Sequence, residues 1–582
     1  MKWIVAATEP GSVAALSAEL GISLPAARVL CARGLGDAAA ARRFITPSTA
    51  DLHDPFLLTD MRKAAARLSA AIERKEPILL YGDYDVDGTS ALVVLKKVLD
   101  LAGGVATCFV PHRIRDGYGM KSEAVEDAAA LGVKLIVSVD TGIRASQVVQ
   151  HAAGLGIDVI VTDHHLPEAE LPPALAVLNP NRRDCAYPEK NLCGAGVALK
   201  LAEALMWTLG WEQPRRERLV DSLLKLVAIA TVADVVPLTG ENRVIVKRGL
   251  SGLDRVANPG LRALLDVAGI EAGTSPSARQ VAFQIAPRIN AAGRMASAND
   301  IVDLFSTSDA ARARAIAAQL DELNKDRRET EDGIRQAILE QCLAQPVTDL
   351  DTALVFAGEG WHRGVVGIVA SRVVERYHRP VFVLGLDEGV AYGSGRSIRA
   401  FHLLDALESM PELFTKFGGH RQAAGVTLDA ARVDEFRERF RSFASDRLTA
   451  ADFEAEIEID AEIGFDEITD QNVADLLNLA PFGLGNAPPT LVVSGAEIAA
   501  PPDIKNDKHL FLRLKSQGRM LRAKAWNFGD RAGEFVAGAR LDIALQFEDD
   551  AYSAARGYPP WQTIVRDVRP AGQGARREAA AR

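Results

Sequence analysis

Basic charge is short in this chain: 67 lysines and arginines face 77 aspartates and glutamates across 582 residues, a formal net charge of −10. That balance excludes an even cationic coat of the kind that holds polyanions without regard to place. Cysteine is scarce too. The five thiols, Cys31, Cys108, Cys185, Cys193 and Cys342, are odd in number and scattered, which excludes a disulfide framework and offers no zinc-knuckle spacing. No uninterrupted apolar run is long enough to cross a bilayer, and Met1 to Leu20 lacks the basic start and apolar core of a secretory signal. The expected compartment is the cytoplasm, with no membrane partner. What remains is ordinary globular material, 48% hydrophobic and 25% charged, too long for one hydrophobic core and so expected to form three or four domains.

Against that background one acidic loop stands out. Pro77 to Tyr81 reads as a buried strand and Ser90 onward as an amphipathic helix, which leaves Gly82-Asp83-Tyr84-Asp85-Val86-Asp87-Gly88 as the connection. Three carboxylates at alternate positions repel one another unless a cation or a proton neutralises them. The arrangement recurs: Leu135–Val139 runs into Asp140-Thr141-Gly142, and Val159 to Thr162 runs into Asp163-His164-His165. A single aspartate after a strand is ordinarily a helix cap or turn former. Three such strand ends are expected to converge, because the carboxyl ends of strands in an open parallel sheet line one crevice.

Carboxylates mixed with imidazole, with no accompanying cysteine pair, suit Mn²⁺ or Mg²⁺. Many acids around few histidines imply two ions, the usual device for hydrolysing phosphate esters.

These motifs, with Ala233-Asp234-Val235-Val236-Pro237-Leu238, resemble the four phosphoesterase motifs of the DHH family, in order. Phe417-Gly418-Gly419-His420 with Ala423-Ala424-Gly425 resembles the glycine-rich motif of DHHA1 domains, and Pro287-Arg288-Ile289-Asn290-Ala291-Ala292-Gly293-Arg294 resembles a segment of the RecJ branch. The resemblance implies 5′ to 3′ degradation of single-stranded DNA to 5′-mononucleotides, in DNA recombination and repair. It implies metal ligation by Asp83, Asp85, Asp87, Asp140, His164 and Asp234, with His165 beside the reacting phosphate and Asp163 orienting a histidine. Arg288 and Asn290 match positions near the scissile group. Arg113, Ser394 and Arg396 match positions that contact the 5′-terminal phosphate, and Gly418, Gly419 and His420 line an anion-accepting turn. Single-strand-binding protein and a RecQ-like helicase are implied partners, and a monomer is expected. Three alternatives stay open: a DHH-type oligonucleotide or nucleotide phosphatase, a non-catalytic single-strand-binding relative, and a signalling cyclic-dinucleotide phosphodiesterase.

Substrate grip has its own local charge. From Leu448 to Ile504 there is no lysine or arginine, whereas Lys505, Lys508, Arg513, Lys515, Arg519, Arg522 and Lys524 follow against Asp507 alone, interleaved with Phe511, Trp526 and Phe528. Alternation around Leu510 to Lys515 predicts a strand, and strands bearing cations and aromatics hold single strands in OB-folds. Phe511, Arg513 and Lys515 are therefore candidate DNA contacts. Phe453 to Ile463 alternates as one half-buried strand. The spacing also predicts a long helix over 309–341, apolar at both ends and solvated from Asn324 to Asp332.

The fold class read from these signals is multidomain α/β. A helical extension (1–50) precedes a parallel-sheet DHH domain (51–308). The connecting helix (309–341) leads to a smaller α/β DHHA1 domain (342–450), followed by an OB-like β-barrel (451–570) and a disordered tail (571–582).

Overall fold

The computed structural model describes residues 2–113, 115–117, 119–572 and 576–579. Its catalytic body is built on five parallel strands ordered 105–109, 77–81, 135–139, 158–162, 176–178. The apolar runs read from the sequence are these strands: Leu80, Tyr81, Leu135, Val137 and Ile160 are fully buried, as a sheet covered on both faces requires. Consecutive strands 77–81 and 105–109 lie on one side of the topological switch, and 135–139 on the other. The loops after 77–81 and 135–139 therefore open into one crevice.

The helix Ala310–Ala344, capped by Asp309, spans about 52 Å at 1.5 Å per residue. Ala313, Ala317 and Leu320 join the core of the catalytic body, and Ile334 and Ile338 join that of the next lobe. Its middle departs from expectation at two positions. Asn324 and Arg327 are buried, the Arg327 guanidinium donating to Asn324 Oδ1 at 3.0 Å and pairing with Glu331. Lys325, Asp326, Arg328, Glu329 and Asp332 stay exposed, so the stretch is solvated on one face and holds a buried Asn324–Arg327 pair on the other.

The second lobe is a five-stranded sheet ordered 414–419, 423–429, 390–396, 381–387, 354–359, in which the last two pair parallel and the rest antiparallel. Glycines and serine face one another across it, Gly418 opposite Gly425 and Gly425 opposite Ser394, leaving backbone accessible. The third body is a barrel: strands 491–498, 540–549, 561–570, 519–525 and 509–516 pair in turn, and Glu497–Lys515 and Ile498–Leu514 close the ring.

Three expectations are corrected. The N-terminal segment is not purely helical and not a separate extension: Lys2–Ala7 is a strand, and helices Pro10–Leu20, Leu24–Ala32 and Ala38–Ile45 bury Val13, Leu16, Leu30 and Ala41 in the barrel's own core. In the tail expected to be disordered, Arg576–Ala579 pairs parallel with that first strand; 573–575 and 580–582 lie outside the described residues. Phe453 to Ile463 is not one strand. Glu456–Ile459 pairs with Lys2–Ala7 and Ala461–Glu462 with the barrel, because Asp460 between them turns to hold Arg33 at 2.8 Å and the Thr490 amide at 2.9 Å.

The barrel body is fastened to the catalytic body by Arg243. This buried guanidinium lies over the Phe44 ring and donates to the carbonyls of Phe44, Leu479 and Ala480. The joint passes through backbone carbonyls, so sequence pairing rules do not reveal it.

Candidate metal centre and substrate cleft

Each acidic side chain is placed by a local backbone device. Asp85 caps the helix Val86–Leu101, accepting the amides of Asp87 and Gly88 at 2.9 and 3.0 Å. Asp87, one residue into that helix, accepts the amides of Gly194 and Ala195 at 2.6 and 2.8 Å. Those amides are the N-terminus of the helix Gly194–Thr208, whose dipole favours a carboxylate. Asp140 takes a left-handed backbone conformation, φ 57°, and Gly194 packs so tightly on it that a Cβ there would sit 2.5 Å from the Asp140 side chain. Asp234 ends the helix Gln213–Ala233.

These devices bring four distant segments together. Donor atoms within 4.8 Å of one another form three overlapping groups: Asp83 with Asp85 and Asp140; Asp87 with His164 and Asp234; and Asp140 with His164 and His165. His164 Nε2 stands 3.1 Å from Asp140 Oδ1, 3.7 Å from Asp234 Oδ2 and 3.8 Å from Asp87 Oδ2. Asp140 and His164 belong to two groups each, as a pair of adjacent ions requires.

Electrostatics test whether cations fit. Burial, reinforced by neighbouring carboxylates, pushes Asp83 and Asp140 well above the ordinary carboxylate range and Asp234 up to about 9. Asp87 is raised by burial as well. Among the described residues, buried Asp83 Oδ1 and Asp234 Oδ2 have no hydrogen-bond partner. Burial pushes the His164 imidazolium down, so the ring is neutral and able to ligate. The neighbouring Cys193 thiol is raised by burial and by Asp87 and Asp234, which keeps it protonated and out of the ligand set. Hard oxygens, a neutral imidazole and no thiolate fit two Mn²⁺ or Mg²⁺ ions.

Asp163 does not join the ligands. Its Oδ1 holds His165 Nδ1 at 2.7 Å and accepts the amides of His164 and His165, while Oδ2 accepts that of Ile143. Burial lowers the His165 pKa and Asp163 more than reverses this, so the imidazolium persists above its usual range. Asn179 and Asn181 donate to the backbone carbonyls of His165 and His164 at 2.8 and 2.6 Å. Sequence reading missed both, although they follow the strand Ala176–Leu178 as the other site residues follow theirs.

Facing the acids is an arginine wall. A cleft of about 410 Å³ between the lobes is lined by Tyr84 and Arg113 on one side and by Arg363, Tyr392, Ser394 and Gly418 on the other. Arg396 donates to Ser394 Oγ at 2.9 Å and to the Gly395 carbonyl at 2.7 Å. Burial and nearby Arg113 lower its pKa. His420 is held neutral by burial and by Arg396, His165, His402 and Arg144; its neighbours place it across the cleft from His165. Arg294, to which sequence reading gave no role, donates to the Gly364 carbonyl across the lobes at 2.8 Å. Burial and Arg113, Arg327 and Arg396 push it down to about 9. The signal that could have found it is its place one helical turn beyond Asn290.

Arg288 and Asn290 part company. Asn290 Oδ1 accepts the Val86 amide at 3.3 Å, beside the ligand loop. Arg288 donates to Asp321 on the connecting helix at 2.8 Å and to the Gln284 carbonyl. On the barrel, Phe511, Arg513 and Lys515 alternate with buried Leu510, Leu512 and Leu514, facing outward opposite Lys524, Arg522 and Met520. Trp526 is exposed beside them, and Phe528 is buried in the barrel core.

A parallel sheet delivering clustered carboxylates and a neutral histidine to its crevice, opposed by a cationic lobe, defines a metal-dependent phosphoesterase. Family models agree: residues 77–231 match the DHH family N-terminal domain, 350–446 the DHHA1 domain and 459–560 the RecJ OB domain. The chain is 38% identical over 546 residues to the single-stranded-DNA-specific exonuclease RecJ of Bacillus subtilis, covering 93% of this chain and 68% of that one. It is 40% identical over 441 residues to the Escherichia coli protein, covering 73% and 76%. The crystal structure of RecJ in complex with Mn²⁺ from Thermus thermophilus superposes with a TM-score of 0.84 at 30% identity, covering 100% of this chain and 81% of that one. The chain belongs to the RecJ family.

Proposed function

We propose that this protein is a metal-dependent exonuclease specific for single-stranded DNA, releasing 5′-mononucleotides in the 5′ to 3′ direction during DNA recombination and repair. The observation that carries it is a buried cluster of carboxylates with His164 set close to Arg113 and, through it, to Arg396. A phosphodiester with divalent ions complements both charges.

Asp83, Asp85, Asp87, Asp140, His164 and Asp234 would hold two Mn²⁺ or Mg²⁺ ions; when bound, these supply activated water and stabilise the oxygens of an in-line displacement. The chain's own groups do the rest. Asp163 fixes His165 through Nδ1, leaving Nε2 to donate to developing negative charge on the phosphate. Arg113, Ser394 and Arg396 seat the 5′-terminal phosphate, with the open backbone of Gly418 and Gly419 and neutral His420 beside them. A planar guanidinium engages two phosphate oxygens at once.

The division of labour follows the sequence-based boundaries: 51–308 cuts, 342–450 grips the end, and 451–570 feeds the strand inward. On the barrel Arg513 stands opposite Arg522 and pairs with exposed Asp503 at 3.2 Å, a partner that a DNA phosphate would replace, and Phe511 and Trp526 offer rings for bases. A cleft too narrow for a duplex would give single-strand preference a steric origin. Single-strand-binding protein and a RecQ-like helicase are the partners this reading favours, with a cytoplasmic monomer as the acting form. Among the described residues no single helix is long and apolar enough to cross a membrane.

The test is a time course on single-stranded DNA labelled at the 5′ or the 3′ end, with Mn²⁺ or EDTA. Labelled mononucleotide appearing first from the 5′ label, only with Mn²⁺, is expected. Equal attack on blunt duplex, or first release from the 3′ label, would overturn the reading.

A further inference from the structure

Tyr84 separates two of the proposed metal ligands, Asp83 and Asp85, yet its side chain has no place among the donor groups. Its backbone is immobilised from behind, because Gly293 leaves no room for even a Cβ against the Tyr84 carbonyl. The ring packs partly on the catalytic core and lines the cleft between the lobes. Over that ring, 4.8 Å from its centroid, lies the Arg113 guanidinium.

Arg113 needs such a seat. Among the described residues it is in no ion pair, and its charge is repelled by Arg294 and Arg396, on whose titration it acts. Asp83 attracts it only through space. The contact is a cation over a ring face. Without the ring, repulsion from the other arginines would move Arg113 toward solvent.

We infer that Tyr84 is a positioning residue: its ring holds Arg113 at a set distance from the ligand loop, so that the seat of the 5′-terminal phosphate and the cleavage centre are fixed relative to each other by one residue of backbone. This rests on the function proposed above and adds a determinant of end specificity that lies inside the acidic motif itself. The competing role is plain support of the loop, in which case Tyr84 would matter equally for every substrate end.

The experiment compares kcat/KM on a 20-nucleotide single strand bearing a 5′-phosphate or a 5′-hydroxyl, with Mn²⁺, for the wild type, Tyr84→Phe, Tyr84→Leu, Arg113→Ala and the Leu/Ala double variant. Calorimetric Mn²⁺ titration is run on each. In Tyr84→Phe, which keeps the ring, the phosphate-to-hydroxyl ratio is expected to stay within about twofold of wild type; in Tyr84→Leu it should fall by about tenfold, to the level of Arg113→Ala. The double variant should lose no more than either single one. An unchanged ratio in Tyr84→Leu, equal losses on both ends with weakened Mn²⁺ binding, or additive losses in the double variant would each overturn the inference. A wild type with no preference between the ends would overturn the end-recognition reading on which it rests, and the inference with it. If Tyr84→Leu does not fold, loss of the ratio in Tyr84→Phe overturns the claim that the ring face is what counts.

Discussion

The floor and the wall of the cleft have opposite charges and the same difficulty. On the floor, burial and mutual repulsion drive Asp83, Asp140 and Asp234 toward their protonated forms. On the wall, burial and mutual repulsion drive Arg294, Arg396 and His420 toward their deprotonated forms. The two differ in how they are held. Floor residues are fixed by backbone amides, a helix N-terminus and Asp163, whereas wall residues reach in from a separate lobe, a loop and, for Arg294, the helix Ala286–Met295, touching carbonyls and rings. A rigid floor suits ions that demand close coordination, and a wall on another body suits a polymer that must advance after each cut.

The largest effect is expected where both donor groups share a residue. Asp140→Ala should lower turnover on single-stranded DNA by on the order of 10³-fold, with far-ultraviolet circular dichroism unchanged because one source of repulsion is gone. Substantial residual Mn²⁺-dependent cleavage would break the floor's assignment. On the wall, Arg396→Ala should raise KM for 5′-phosphorylated strands by about 10- to 100-fold, the loss of a charge-assisted bidentate contact, with little change in Mn²⁺ affinity by calorimetry.

The floor's protonation has a sign that can be checked. Asp234 titrates near 9 in the metal-free fold but at its ordinary 3.8 when unfolded. The unfolded chain therefore binds fewer protons between those values, and the metal-free fold loses stability as pH rises through that window. Ions replace the protons. The rise in Tm on adding Mn²⁺ should therefore be larger at pH 8.5 than at pH 6, with proton release on binding at the lower pH.

Smaller effects distinguish the barrel from the wall. Reversing Arg513 and Lys515 to glutamate should weaken binding of long strands several-fold more than of short ones, and flatten the salt dependence by about one unit per lost phosphate contact. Equal losses at all lengths would move the binding surface elsewhere. Least of all, Arg288→Met should cost about 1 kcal/mol of stability through its partly exposed pair with Asp321, with the single-turnover cleavage rate nearly unchanged. A loss comparable to that of Asp140→Ala would place Arg288 at the reacting phosphate.

The strands leading into Asp83, Asp140 and Asp163 were legible because a strand buried on both faces writes itself as an unbroken apolar run, and the residues just after such a run must lie at the sheet's end. The long helix was legible at its apolar ends and in its largely solvated middle, while the burial of Asn324 and Arg327 within that middle was not, because it depends on neighbouring elements meeting there. Asn179 and Asn181 act through main-chain carbonyls and Gly194 through its lack of a side chain, so neither leaves a chemical pattern in the chain. The strand formed by Arg576–Ala579 escaped notice because its partner, Lys2–Ala7, stands at the other end of the sequence.

By itself, then, the order of residues determined the parallel sheet, the donor chemistry for two hard cations and the partition of acidic from basic segments, since each follows from local periodicity and residue type. Only tertiary structure decided which arginines face the cleft, that Asp163 serves His165, and that the two termini build one body with the barrel. Those outcomes depend on contacts between segments far apart in the chain, whose energies come from burial and from charges brought close together, and neither exists until the bodies have assembled.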